Sequence, residues 1–219
     1  MIRVNVFVEG QTEETFVRDL LIPYFSPMDI YLYSILVRTG PYGKGGLISY
    51  AKIKPQLQHK CREDRSAFVT TFFDLFRLPA DFPGHAASLE IKDPLERASM
   101  LEELIAKDIG ENNLIPGLTV HEFEGLLYSE TSKFSGWFDD NAVAVLSKER
   151  SQFPSPEHIN CGDSTAPSKR ILRACARYQK TLHGPQIAKL IGLEQIRSEC
   201  KHFDRWIARI TNLNKTSRS

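Results

Sequence analysis

The feature that most restricts the fold is a fourfold alternation between short apolar runs and helical patterns. Ile2–Val8 (IRVNVFV) is rich in β-branched residues and suits a strand covered on both faces. Ile30–Val37, Ala67–Phe73 and Leu114–Val120 repeat that character. After the first run, Glu13, Glu14, Phe16, Val17, Leu20 and Leu21 start an amphipathic helix with an acidic first turn. Thr12 is its expected N-cap, and Pro23 is expected to close it. Ile48–Arg62 reads as a second helix with Pro55 as a kink point. Pro94–Ile109 reads as a third, with Leu95, Ala98, Leu101, Leu104 and Ile105 on one face. Such alternation predicts an α/β fold with a mainly parallel sheet and flanking helices. Strand patterns then stop. Asp140–Gln152, Ala166–Leu182, Pro185–Ile191, Leu193–Cys200 and His202–Leu213 read as helices, and Pro154–Pro167 as a linking loop. The expected organisation is an α/β domain over residues 1–139 and a basic helical region over 140–219 packed on it.

The chain has 219 residues, 42% hydrophobic and 25% charged, enough for a core without staples. No apolar run approaches the ~18–20 residues of a membrane span, and the first residues do not read as a signal peptide. Cys61, Cys161, Cys175 and Cys200 form no CxxC pair, so reduced thiols and a cytoplasmic location are expected. The net charge of +1 conceals an asymmetry. Residues 1–159 carry 16 Lys+Arg against 23 Asp+Glu, whereas residues 160–219 carry 12 against 4. The first part is suited to cations and the second to polyanions, although two solvated helical faces of opposite sign would read alike.

The acids have places as well as numbers. In open α/β sheets, ligands gather at the carboxyl ends of strands. Run one ends at Glu9, with Glu13 one turn into the next helix. Run three ends at Asp74, and run four at His121-Glu122-Phe123-Glu124. Carboxylates brought together on one rim cannot all remain ionised without a compensating charge. A hard cation, Mg²⁺ or Mn²⁺, is the economical partner for oxygen ligands. Glu13 and Glu14 also suit a helix N-terminus, and His121 also suits a hydrogen-bonded structural role.

Val8-Glu9-Gly10-Gln11-Thr12-Glu13, on a strand–turn–helix, resembles the first motif of the TOPRIM fold of topoisomerases, primases and OLD-type nucleases. The apolar strand ending in Asp74 resembles the second. Asp74…Leu78-Pro79…Phe82-Pro83, His121-Glu122-Phe123-Glu124-Gly125-Leu126-Leu127, Thr165-Ala166-Pro167-Ser168-Lys169-Arg170 and Ile187-Ala188…Gly192-Leu193 resemble one branch, the DUF4276 family of bacterial proteins. The resemblance covers nearly the whole chain. It implies a TOPRIM-like fold and divalent-metal phosphodiester chemistry, with Glu9 as metal ligand or acid/base and Glu13 joining a metal site. The second motif usually reads Asp-x-Asp, but Phe76 stands where its second acid belongs. Glu122 and Glu124 are the candidate replacements, with Asp81 behind them. His121 could position water or a leaving group. Family members also resemble components of mobile defence modules, often encoded beside an ATPase, so an ATPase partner is implied.

Arg170, Arg173, Arg177 and Lys180 fall at i, i+3, i+7 and i+10, one face of a continuous helix that could follow a phosphate backbone. Ser168, Lys169 and Arg170 after Pro167 suit a helix N-terminal phosphate site. Lys44, in the loop Gly40–Gly46, lacks a P-loop pattern but could touch phosphate. The expected function is a Mg²⁺-dependent nuclease of DNA or RNA, a defence effector working with an ATPase. The alternatives are a catalytically degenerate regulatory subunit of an ATPase complex and a phosphotransfer enzyme acting on a small nucleotide.

Overall fold

A computed structural model describes residues 1–38, 47, 49–159, 162 and 164–216. Strand β1 (Ile2–Val8) lies at the centre of the sheet, between β2 (Ile30–Leu36) and β3 (Phe68–Asp74), and both pairings are parallel. Beyond β3 the sheet continues as two short parallel pieces, β4 (Leu114–Ile115) and β5 (Leu118–Thr119). The expected mainly parallel α/β sheet is therefore present, in the order β2-β1-β3-β4 with β5 also on β3.

The fourth apolar run does not remain one strand. Pro116 has no N–H to give, and Gly117 sits beneath the indole of Trp206. A Cβ on Gly117 would overlap that ring and lie 2.6 Å from the Thr71 carbonyl oxygen. Thr71 Oγ1 bridges the gap, accepting from Gly117 N–H at 2.9 Å and donating to its carbonyl at 2.8 Å. Trp206 Nε1 donates to Thr70 Oγ1 at 2.8 Å, which anchors the C-terminal helix to the sheet.

Helix α1 (Gln11–Phe16) begins after Gly10, so Thr12 is inside it and does not cap it. Pro23 does not end the helix either. A π-helical turn over Val17–Leu21 lets Ile22 N–H reach the Val17 carbonyl, and the chain runs on through α2 (Ile22–Phe25) to a 3₁₀ turn, Ser26–Met28. The widened turn relieves the clash a proline ring makes with the preceding turn. Helices α3 (Tyr50–Glu63), α4 (His85–Ser88) and α5 (Pro94–Ile109) follow, then α6 (Phe123–Leu126) and α7 (Asp140–Arg150).

The helix expected over Ala166–Leu182 is two helices, α8 (Pro167–Ala174) and α9 (Lys180–Ile191). The chain leaves the helical region at Cys175 (φ −124°, ψ 77°) and is extended at Gln179 (φ −118°, ψ 114°). Burial of the Tyr178 ring, only 6% exposed, holds the break inward. Pro185, expected to start a helix, lies within α9. Arg170, Arg173, Arg177 and Lys180 consequently do not form one straight stripe. The fold ends with α10 (Leu193–Glu199) and α11 (Lys201–Thr216).

Each sheet face has its own core. Phe7, Val69 and Phe73 pack with Ile53 and Leu57 of α3 and Leu101 and Ile105 of α5. Val4, Val6 and Val8 share the opposite core with Phe16 of α1, Ile187 of α9 and Trp206 and Ile207 of α11. Phe72 lies between the stacked rings of Phe16 (5.5 Å) and Trp206 (5.2 Å). Full burial of such a ring stabilises by ~1.5–3 kcal/mol. These two cores hold the carboxyl ends of β1, β3 and β5 side by side. Among the described residues, no helix is long and apolar enough to cross a membrane.

Candidate active site

The first two strand-end acids touch. Glu9 Oε1 accepts the backbone N–H of Asp74 at 2.5 Å. Parallel register places Val8 opposite Phe72, so the residues that follow each strand emerge together. Asp74 Oδ1 accepts from Thr119 Oγ1 and from Phe123 N–H, both at 2.9 Å. One carboxylate thus ties β3 to the end of β5 and to the start of α6. Its other oxygen, Oδ2, faces Lys180 Nζ at 3.7 Å. The same ammonium lies 3.1 Å from Glu124 Oε2 and 3.8 Å from Glu13 Oε1. Glu9, Glu13, Asp74 and Glu124 therefore share one cup at the strand ends, with the first residue of α9 reaching into it.

The cup is a costly place for negative charge. Burial, then the neighbouring Asp74 charge, raises the Glu9 carboxyl well above its ordinary range, against the pull of the Asp74 N–H. Burial also pushes Asp74 up to about 7, with Lys180 pulling down and Glu13 and Glu124 pushing up. Glu124 is fully buried, and burial likewise raises its carboxyl. Neither of its oxygens has a well-angled hydrogen bond. Lys180 shows the reciprocal effect: burial lowers its affinity for a proton, but attraction to Asp74, Glu124 and Glu13 outweighs that and raises it. The Tyr178 hydroxyl, buried without a well-angled hydrogen bond, is raised by burial and then by the Glu124 charge.

Close packing leaves no slack in the cup. A Cβ on Gly10 would lie 3.2 Å from Glu13 Oε2. One on Gly184 would lie 3.0 Å from the Tyr178 hydroxyl and 3.1 Å from the Phe123 ring. Small residues at these two positions let α1 and α9 approach the strand ends.

The other expected residues are placed elsewhere. Glu122 is extended at the N-cap of α6 and accepts the N–H of Ser168 at 3.1 Å, docking α8. Glu122 and Glu124 consequently diverge, and it is Glu124 that enters the cup. His121 adopts a left-handed backbone (φ 70°). Burial, then His158 and Arg97, lowers its imidazole to about 4, and its Nε2 is buried without a hydrogen bond. Asp81 accepts the N–H groups of Tyr50 and Ala51 at 2.8 and 3.1 Å, capping α3 outside the cup. Arg170 is largely buried. It donates to the Thr165 carbonyl at 2.8 Å, lies 3.5 Å from Glu149 and covers the Phe153 ring. Arg173 is 3.7 Å from Glu149, and Lys169, Arg173 and Arg177 are exposed. Lys44 lies outside the described residues.

Lys180 is the residue of the cup that sequence spacing misassigns. It looks like the end of a basic stripe, and only the break at 175–179 turns it inward. As donors, four carboxylates suit a hard divalent cation, and Glu124 Oε1, buried without a well-angled hydrogen bond, is an opening for one. Glu9, Asp74 and Glu124, with Glu13, are the residues that would hold it. The present arrangement is centred on the ammonium: among the described residues, no three His, Cys, Asp or Glu side chains are disposed around a common metal position. Seating an ion there requires Lys180 Nζ to withdraw.

A family model described as "Domain of unknown function (DUF4276)" matches residues 8–211. Among solved structures, the chain is similar to the C-terminal region of the Xanthomonas campestris pv. campestris OLD protein phased with platinum. Identity is 15%, with 99% of this chain and 96% of that one covered, at a TM-score of 0.44. The mercury-phased structure of that region is 12% identical, over 100% and 99% of the chains, at a TM-score of 0.42. The iodine-phased one is 13% identical, over 100% and 98%, at 0.41. No curated protein matches.

Proposed function

The chain belongs to the DUF4276 family, and from that premise we propose that it is a divalent-metal-dependent nuclease hydrolysing phosphodiester bonds of DNA or RNA. One observation carries this reading: Glu13, Asp74 and Glu124 meet around a single ammonium at the carboxyl ends of neighbouring parallel strands, with Glu9 joined to them through the Asp74 N–H. The resemblance of Glu9 and its turn to the first TOPRIM motif, and of Asp74 to the second, supports it. Mg²⁺ or Mn²⁺ held there would supply Lewis-acid neutralisation of phosphate charge and a more acidic bound water. The chain's own groups provide the rest. Asp74, whose carboxyl burial pushes up to about 7 in the metal-free cup, would give up its proton to an incoming ion at or above neutral pH. Glu9 is oriented by the Asp74 N–H. The exposed Lys169, Arg173 and Arg177 would attract a phosphate backbone. An ATPase partner and a defence-effector role belong to this proposal through the family resemblance.

The test is cleavage of single- and double-stranded polynucleotide with and without Mn²⁺, for the natural chain and for Glu9→Gln and Asp74→Asn. Loss of cleavage in both variants with unchanged circular dichroism is expected. Full activity in either variant removes the assignment. A second reading, a metal-free regulatory or binding subunit, is favoured by Phe76 at the second-motif position and by Lys180 already compensating the cup. Calorimetric titration with Mn²⁺ separates the two. Heat that disappears in Glu9→Gln supports the nuclease, and no heat supports the subunit.

A further inference from the structure

We infer that the chain carries a nucleobase-stacking pocket beside the acidic cup, which holds one base of a single strand bound there; the inference rests on the nuclease reading. A cavity of about 530 Å³ opens between the segment leading into α7 and the start of α9, lined by Trp137, Phe138 and His183, by Arg177, and by Asp139, whose carboxylate caps α7 through the Ala142 N–H at 2.8 Å. His183 stands amid aromatic rings. Trp137 meets it edge-on at 5.2 Å and 75°, Phe138 at 5.3 Å and 59°, and Tyr178 stacks on it at 5.9 Å and 29°. The imidazole is held in place, since His183 Nδ1 accepts the N–H of Gln179 at 2.8 Å.

Three features point to a base. Trp137 is 45% exposed, a large aromatic surface left in water beside a concave site. Flat aromatic walls with an exposed guanidinium nearby match a planar base joined to a phosphate, and stacking of this kind tolerates any sequence. The pocket is linked to the cup through Tyr178, which packs behind its His183 wall. Tyr178 presents its ring to His183, while its hydroxyl lies in the field of Glu124. Lys180, which reaches the cup carboxylates, is one helical turn from His183 on α9. A strand whose phosphate approaches the cup would therefore bring a neighbouring base to His183 and the exposed Trp137.

The experiment measures fluorescence anisotropy of two labelled strands of equal length on the full chain without added divalent metal. One is an ordinary single-stranded oligonucleotide, the other a wholly abasic sugar-phosphate strand. The natural chain is expected to prefer the strand with bases on the order of ten-fold. Trp137→Ala should abolish most of that preference, and Trp137→Phe should restore much of it. Equal binding of the two strands by the natural chain, or a preference that persists in a folded Trp137→Ala, overturns the pocket while the nuclease reading stands. If Trp137→Ala does not fold, the strand comparison on the natural chain and on Trp137→Phe decides alone. Failure of the natural chain to bind either strand also overturns the pocket, whereas the nuclease reading is decided separately by the Mn²⁺-dependent cleavage assay.

Discussion

Replacing Lys180 with methionine keeps the stem of the side chain and deletes its charge. The ammonium faces carboxylate oxygens at 3.1, 3.7 and 3.8 Å. At an effective dielectric near 20, each contact amounts to about 4–5 kcal/mol of gross attraction. Most of this does not survive as stability. The lysine side chain is 40% exposed, so water screens it, and the carboxylates can take up protons when the ammonium is gone. A net loss of about 2 kcal/mol at pH 8 is expected, or about 4–8 °C in Tm for a chain of this size. The sign with pH follows from linkage. Glu9, Asp74 and Glu124 already have folded-state pKa values raised above their unfolded ones. Groups of that kind favour the folded state most below the unfolded pKa, and the benefit is lost as pH rises through the folded pKa. Without Lys180 they rise further, so the variant should lose more stability than the natural chain as the pH passes from about 5 to 8. Differential scanning calorimetry at those two values reads the effect directly. An identical Tm difference at both, or none at pH 8, would refute the account of Lys180 as the counter-charge of the cup.

Further outcomes follow from the same contacts. Under the nuclease reading, Mn²⁺ affinity should increase as pH rises through about 7, because the ion competes with the proton on Asp74; isothermal titration showing equal affinity at pH 6 and 8 would contradict this. Gly117→Ala should destabilise by about 2 kcal/mol or more, since its Cβ would strike the Trp206 indole and the Thr71 carbonyl oxygen. A urea midpoint within error of the natural chain would remove that explanation. Arg170→Ala should cost ~1–3 kcal/mol by breaking its Thr165 and Glu149 contacts, whereas Lys169→Ala should leave the urea midpoint unchanged. Equal effects would mean that Arg170 is no more structural than its exposed neighbour. Phe16→Ala should cost ~3–5 kcal/mol, because the ring is fully buried against Phe72 and Phe123; a much smaller thermal shift would show that the site collapses to fill the void.

Local pattern was sufficient for the regular elements. The helix Pro94–Ile109 has a readable start and stop: Asp93 caps it through the N–H groups of Leu95 and Glu96, and Gly110 ends it in the left-handed region at φ 71°. Strands one to three were legible because full burial selects unbroken apolar runs. The fourth was misread as continuous, since Trp206, nearly ninety residues away, decides what Gly117 must accommodate. Pro23 misled for a related reason: the π turn that tolerates it has no local signature.

The acids Glu9 and Asp74 could be placed on one rim from the chain alone, because strand ends are local events and parallel strands align their carboxyl ends. Their partner could not. Lys180 belongs to the cup because buried Tyr178 interrupts a helix that spacing alone would continue, and a one-dimensional pattern has no term for that packing. Composition and periodicity determine the type of the segments whose burial is local, the first three strands and the helix Pro94–Ile109, and which acids end those strands. Which carboxylate of the Glu122–Glu124 pair turns inward, and which cation meets it, depends on side chains far apart in sequence competing for the same buried volume.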